Sequence, residues 1–378
     1  MSFTNKLPLA LMTALLPIAI QAETLVYVGT STDGASKGIY VATLDETTGA
    51  LSPPRLAAAI GNPGFLAMHP SKPLVYSVAA SRAAEGAWKE EVAAFAMQPD
   101  GSLTLLNTQP AGGNGPCHIS VDASGRVLLL ANYNGGNVVS YPIGSDGRVG
   151  PAASTVQHEG SSVNPQRQKE PHPHGIYPGP TQTRAYVPDL GLDKVLIYRL
   201  DAASGRLSAN KPGFATTGPG GGPRHLAFHP NGRHVYVNLE LTSRVAAYRL
   251  DAATGAMESF QVLSTLPAGA KAEGNSTAET LVHPNGRFLY VSNRGHDSIA
   301  VFAIDAQDGS LRFIETTPTG GRTPHSFDIV PGGRFLVAAN QNGGNVAVFR
   351  IDAERGTLSP AGSEVAIDRP AYVRFVRR

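Results

Sequence analysis

The chain has 378 residues, with 42 Gly, 29 Pro, 16% charged residues and a formal net charge of +2. Balanced charge removes the electrostatic case for nucleic acid or an anionic membrane surface as a partner. A single cysteine, Cys117, excludes an intrachain disulfide framework, and abundant Gly and Pro with few charges describe short strands and tight turns rather than long surface helices.

In chain order, residues 1–22 read first as an export signal. Lys6 supplies the positive start, Leu7 to Ile20 is an apolar run, and Ala22 is a small residue suited to cleavage, giving a mature form that begins at Glu23. The run is short for a bilayer span, and no other segment approaches that length. The expectation is a periplasmic or secreted monomer with no membrane attachment after cleavage.

One block then recurs along the rest of the chain. Pro63 to Ala80, Pro116 to Tyr133, Pro173 to Leu190, Pro223 to Glu240, Thr277 to Arg294 and Pro324 to Gln341 each hold an apolar stretch, a turn and a second alternating stretch. The turn is of the Pro/Asn/Asp-Gly type, so each block is a β-hairpin by turn chemistry. A third alternating run follows, as at Lys194 to Leu200 and Asn345 to Ile351. Next comes Asp-Ala-x-x-Gly-x-Leu/Met, at Asp201 to Leu207, Asp251 to Met257 and Asp352 to Leu358, where Gly suits a turn of positive φ ahead of a fourth strand. A seventh unit is split between Pro370 to Val376 and Thr24 to Leu51. The pattern predicts an all-β, seven-bladed β-propeller over 23–378, four antiparallel strands per blade, closed by pairing of the N- and C-terminal strands. Gly160 to Pro173 and Pro267 to Asn275 read as inserted loops.

Laying the blocks over one another turns a list of polar residues into positions around one axis. The residue after the leading position is Gly64, Cys117, His174, Arg224, Ala278, His325 and Ala371; the next is Phe65, His118, Gly175, His225, Glu279, Ser326 and Tyr372. Near the end of each block lie Glu240 and Arg294, which do not repeat, and Asn132, Asp189, Asn293 and Asn340, which do. Repeated residues read mainly as turn caps. Residues that differ from blade to blade are better candidates for a site where blades converge. His229 and His283 precede Pro at equivalent places and read as turn residues, and Cys117 reads as a small buried residue.

The mature chain resembles the propeller lactonase family that includes seven-bladed bacterial 6-phosphogluconolactonases and the fungal carboxy-cis,cis-muconate cyclase. The resemblance rests on Pro173-His-Gly175 with Asp189-Leu-Gly-Leu-Asp193, on Gly222-Pro-Arg-His-Leu-Ala-Phe-His-Pro-Asn-Gly232 ending in Glu240, on Ser292-Asn-Arg-Gly-His-Asp-Ser-Ile299, and on Ala131-Asn-Tyr-Asn-Gly-Gly136. It implies a catalytic set of His174, Arg224, Glu240 and Arg294. Glu279, His325, His225, His118 and Asn132 are the candidate substrate contacts.

A lactone hydrolase needs a base for water, stabilisation of the oxyanion and a proton for the leaving alkoxide. His174 or Glu240 is the candidate base, Glu240 being equally suited to orienting an arginine, while Arg224 and Arg294 hold the anionic part of a substrate. The expectation is metal-independent hydrolysis of a sugar lactone in carbohydrate metabolism, with no cofactor. His158, His172 and His174 lie close together but match no zinc spacing. A cycloisomerase acting on a muconate-like dicarboxylate and a non-catalytic propeller binding module are the alternatives.

Overall fold

Isolated four-stranded hairpin units cannot bury both faces, so they stack against one another around a ring. The computed structural model describes residues 24–82 and 88–377 and contains seven four-stranded antiparallel sheets. The export leader read over 1–22 lies outside the described residues. We number the blades in chain order from the sheet that begins at Leu66; the seventh joins strand Pro370–Arg377 to strands Thr24–Thr30, Gly38–Leu44 and Arg55–Ala59. The terminal strands pair antiparallel, with Leu25 opposite Val376 and Tyr27 opposite Arg374, so the seven-bladed ring is closed as the repeats predict.

The inner strands of the blades are buried on both faces, which is why their successive residues are apolar. Tyr290 of blade 5 packs with Phe327 and Phe349 of blade 6, whereas its neighbour Val291 packs with Tyr236 and Val245 of blade 4. A polar tie recurs at the same joints. Tyr27, Tyr76, Tyr186, Tyr236 and Tyr290 each donate a buried hydroxyl hydrogen bond to the carbonyl of a turn glycine in the next blade: Gly101, Gly147, Gly255, Gly309 and Gly356. Gly205, Gly255 and Gly356 have φ of +72°, +80° and +74°, the conformation inferred for the Asp-Ala-x-x-Gly turn. His229 and His283 accept from the turn backbone through Nδ1 and face the carbonyls of Gly286 and Gly333 in the following blade through Nε2.

The first strand of the blades is irregular, and this positions the site. Its pairing slips between Pro116 and His118, Pro223 and Leu226, Thr277 and Thr280, and Pro324 and Ser326. Such a β-bulge leaves residues out of the ladder and re-aims their side chains. The displaced residues are the blade-specific ones, among them Cys117, Arg224, His225, Ala278, Glu279 and His325. The repeated caps are structural: Asn132, Asn293 and Asn340 donate to the carbonyls of Ala111, Thr265 and Thr319 on the segment arriving from the preceding blade.

Candidate active site at one end of the axis

The bulges sort the axial residues into two layers. Cys117, His174, His325 and Ala371 line a cavity of about 350 Å³ at the end where the inner strands begin, together with Tyr133 and Gln341. Phe65, His118, Glu279 and Tyr372, each one residue further on, line a separate cavity of about 310 Å³ that opens toward the opposite end. Stacked Phe65 and Tyr372, with ring centroids 3.7 Å apart, and His118, 4.3 Å from Phe65, pack in this second layer.

Arg224 is the hub of the first layer. Buried in its bulge, it donates from Nε to the carbonyl of Ala278 (3.2 Å), from Nη1 to Glu240 Oε2 (2.7 Å) and His174 Nε2, and from Nη2 to His325 Nε2 (3.2 Å). A guanidinium has no acceptor, so both imidazoles offer it a lone pair and carry their proton on Nδ1. His325 donates that proton to the carbonyl of Ala371 (2.9 Å). Burial and the adjacent Arg224 charge hold His174 well below the usual imidazole range and bring His325 down to about 3. Both are neutral at pH 7.

Glu240 opens a single-turn helix, Glu240–Thr242, directly after strand His234–Leu239, and its N–H is fixed on the carbonyl of Gly222 (2.7 Å). Its carboxylate gathers three guanidiniums: Arg224 and Arg294 on Oε2 at 2.7 and 3.1 Å, and Arg167 on Oε1 at 3.0 Å. Burial alone would raise its pKa, but the three positive charges hold it at about 2. Arg294, at the end of strand Phe288–Arg294, also donates to the carbonyl of Thr277 (3.0 Å). Burial, reinforced by repulsion from Arg224, lowers its pKa to about 10, which leaves it charged at neutral pH.

The four residues His174, Arg224, Glu240 and Arg294 therefore meet, with His325 as a fifth member. The other candidate contacts do not join them. Asn132 is fully buried and committed to Ala111, so it is a scaffold residue rather than a substrate contact. His118 and Glu279 line the opposite cavity because the bulge turns their position away from the first layer. His225 is sealed between the layers, its ring 5.4 Å from His174 and 5.5 Å from His118, with Nδ1 2.9 Å from Glu279 Oε1. Burial pushes the Glu279 carboxyl up to about 7 and depresses His118 and His225. Cys117 is half-buried on the wall of the first cavity rather than fully buried, and desolvation pushes its thiol up to about 12.

Arg167 and Tyr133 complete the site without having been singled out. Arg167 Nη2 bonds the Tyr133 hydroxyl (3.0 Å) as well as Glu240, and Tyr133 stacks on His172. Arg167 sits in the inserted loop, which has no counterpart in the repeat, so superposing blades cannot find it; the only signal is a basic residue inside that insertion. His158, His172 and His174 diverge, bonding Asp189, the Tyr133 carbonyl and Arg224 respectively.

Comparison with known proteins agrees with this architecture. Residues 25–375 match the family described as "Lactonase, 7-bladed beta-propeller". The chain is 40% identical over 304 residues to the 6-phosphogluconolactonase of Bacillus subtilis, covering 80% of this chain and 83% of that protein. It is 31% identical over 309 residues to the 6-phosphogluconolactonase of Formosa agariphila, covering 80% and 85%. The solved structure of the Pseudomonas aeruginosa periplasmic gluconolactonase superposes with a TM-score of 0.87 at 33% identity, covering 94% of this chain and 99% of that one.

Proposed function

Because the chain belongs to the seven-bladed β-propeller lactonase family, we propose that it hydrolyses a sugar lactone, in the manner of a 6-phosphogluconolactonase, by metal-independent acid–base catalysis. The observation that carries the mechanism is the placement of Arg224 between an ionised Glu240 and two neutral histidines.

Glu240 positions Arg224 and Arg294, since both of its carboxylate oxygens are occupied by guanidiniums. His174 is neutral, and its Nε2 lone pair is covered by Arg224 in the free site. We assign the base role to His174 once Arg224 has moved its hydrogen bond to the carbonyl oxygen of a bound lactone. In the first step water gives a proton to His174 Nε2 and its oxygen bonds to the carbonyl carbon, with the new oxyanion facing Arg224 and Arg294. In the second, the C–O bond of the ring breaks and the imidazolium returns the proton to the leaving alkoxide, yielding the open hydroxy acid. The proposed route draws on protein groups alone, with His174 as base and Arg224 and Arg294 as oxyanion donors. Action after export is supported by the leader composition and by the periplasmic gluconolactonase of Pseudomonas aeruginosa to which the chain is similar.

The test is lactone opening above the spontaneous rate by the form beginning at Glu23, using glucono-δ-lactone and 6-phosphoglucono-δ-lactone, with Arg224→Lys as control and 3-carboxymuconate as the cycloisomerase substrate. Hydrolysis that survives exhaustive chelation and falls in the Arg224 variant is expected. Activity on the muconate alone, or on nothing, sinks the proposal.

A further inference from the structure

The three guanidiniums around Glu240 are unequal. The side chains of Arg224 and Arg294 are 3% and 18% exposed, whereas that of Arg167 is 44% exposed. Only Nη2 of Arg167 is engaged among the described residues, so the remaining donors of a planar fork face outward beside the cavity wall formed by Tyr133.

The charge count leaves an excess. Among the described residues Glu240 is the one carboxylate in contact with any of the three arginines, and His174 and His325 are neutral, so the cluster as described carries two uncompensated positive charges. Arg294 Nε is in addition buried with no hydrogen-bond partner among the described residues. Partly buried cations of this kind are costly unless an anion completes them.

The loop that presents Arg167 is pinned rather than free. Gln168, fully buried, donates to the carbonyl of Leu190 and to Asp193 Oδ1, both at 2.8 Å, and accepts from Asn164 N–H at 3.0 Å. Asn164 Oδ1 accepts the N–H groups of Gln166 and Arg167 at 3.0 and 3.1 Å. Asp193 also ties the loop, through Ser162, to the backbone N–H groups of Gly220 and Gly222. These bonds hold the backbone of Arg167 while leaving its head partly in solvent, an arrangement suited to engaging a ligand with little further ordering cost.

We propose that Arg167 is the residue with which this site selects lactones carrying an anionic group, a phosphate or a carboxylate. The proposal rests on the lactonase reading above, and the experiment separates the two. Steady-state kinetics of wild type, Arg167→Gln and Arg167→Lys are measured on neutral glucono-δ-lactone, 6-phosphoglucono-δ-lactone and the carboxylate-bearing glucaro-1,4-lactone. In Arg167→Gln, KM for a charged lactone rises about tenfold or more beyond any change for the neutral lactone, whose constants report loss of the Arg167–Glu240 contact, so kcat/KM for charged over neutral lactone falls about tenfold or more; Arg167→Lys recovers part of the loss. Which charged lactone responds identifies phosphate or carboxylate as the recognised group. An equal KM rise for all three lactones, no rise for either charged one, or wild-type activity confined to the neutral lactone overturns the proposal. Calorimetric binding of 6-phosphogluconate and glucarate gives a readout without turnover. If no lactone is hydrolysed, the lactonase reading fails, yet acid binding that weakens about tenfold in Arg167→Gln upholds Arg167 as the anion selector, and unaltered binding of both acids overturns it.

Discussion

Replacing Glu240 with Gln tests whether this carboxylate positions the arginines or takes the proton. Holding a carboxyl at about 2 against an ordinary 4.5 corresponds to about 3 kcal/mol of preference for the charged form. The side chain is only 5% exposed, so solvent screening removes little of that sum, and the variant is expected to unfold with about 3 kcal/mol less stability. The sign follows from the depressed pKa: the contribution is present above the unfolded value of 4.5 and is lost as pH falls toward 2, so the gap between wild type and variant closes in acid. Turnover falls in parallel, because Arg224 and Arg294 lose their common anchor, and a misplaced oxyanion donor costs about 10²–10³ in kcat. The assays are urea denaturation at pH 7 and pH 3 and the pH–rate profile. An acidic limb retained in Glu240→Gln agrees with His174 as the base. A variant within about 0.5 kcal/mol of wild type at pH 7, or one keeping more than about a tenth of its turnover, refutes the positioning role.

Three further outcomes are expected. His174→Asn lowers kcat by about 10²-fold or more with little change in fold, and a loss below about tenfold in initial-rate assays removes His174 as the base. Tyr236→Phe leaves the Gly309 carbonyl without its 2.8 Å partner and costs about 1–3 kcal/mol in denaturant melts, with kinetic constants unchanged; an unaltered melt denies the blade-to-blade tie its structural weight. The buried neutral imidazoles His118, His174, His225 and His325 have depressed pKa values, whereas those of Glu279 and Asp328 are raised to about 7 and 6. The histidines contribute stability above pH 6.5 that is lost on acidification, and the two carboxyls act in the opposite sense. The four depressed histidines outnumber the two raised carboxyls, so below pH 6.5 the unfolded chain binds more protons than the folded one, the melting temperature should drop between pH 7 and pH 5, and a flat profile contradicts the burial of these groups as neutral species.

The ring was legible because its turn chemistry repeats. Pro-Asn-Gly and Asp-Ala-x-x-Gly specify hairpins locally, and a spacing of about 50 residues with four strands leaves few architectures other than a propeller. Part of the site was legible for the opposite reason: Arg224, His174 and His325 occupy a place where other blades put Gly, Ala or Cys. What could not be read was the direction of adjacent positions. A regular strand would alternate its side chains, but the bulge after Pro223 displaces Arg224 and His225 together, and only the folded ring decides that the first joins the Glu240 cluster while the second is sealed beneath it. Asn132 misled because a cap and a ligand contact use the same side chain, and its commitment to Ala111 depends on where the preceding blade delivers that carbonyl.

Arg167 shows a further consequence of building a site on a repeat. The hydrolytic groups proposed here stand on hairpins whose geometry is fixed by ties common to many blades, so their mutual placement is inherited with the ring itself. The anion contact stands on an insertion that no blade requires and that is anchored by Gln168, Asn164 and Asp193. The tyrosine-to-glycine ties between blades do not run through this insertion. A 6-phosphogluconolactonase and a periplasmic gluconolactonase, at 40% and 33% identity to this chain, are named for substrates that differ by one phosphate. On the proposal above, a difference of that kind arises on the Arg167 loop rather than in the catalytic set, so the loop is the place to look for the substrate preference of this chain.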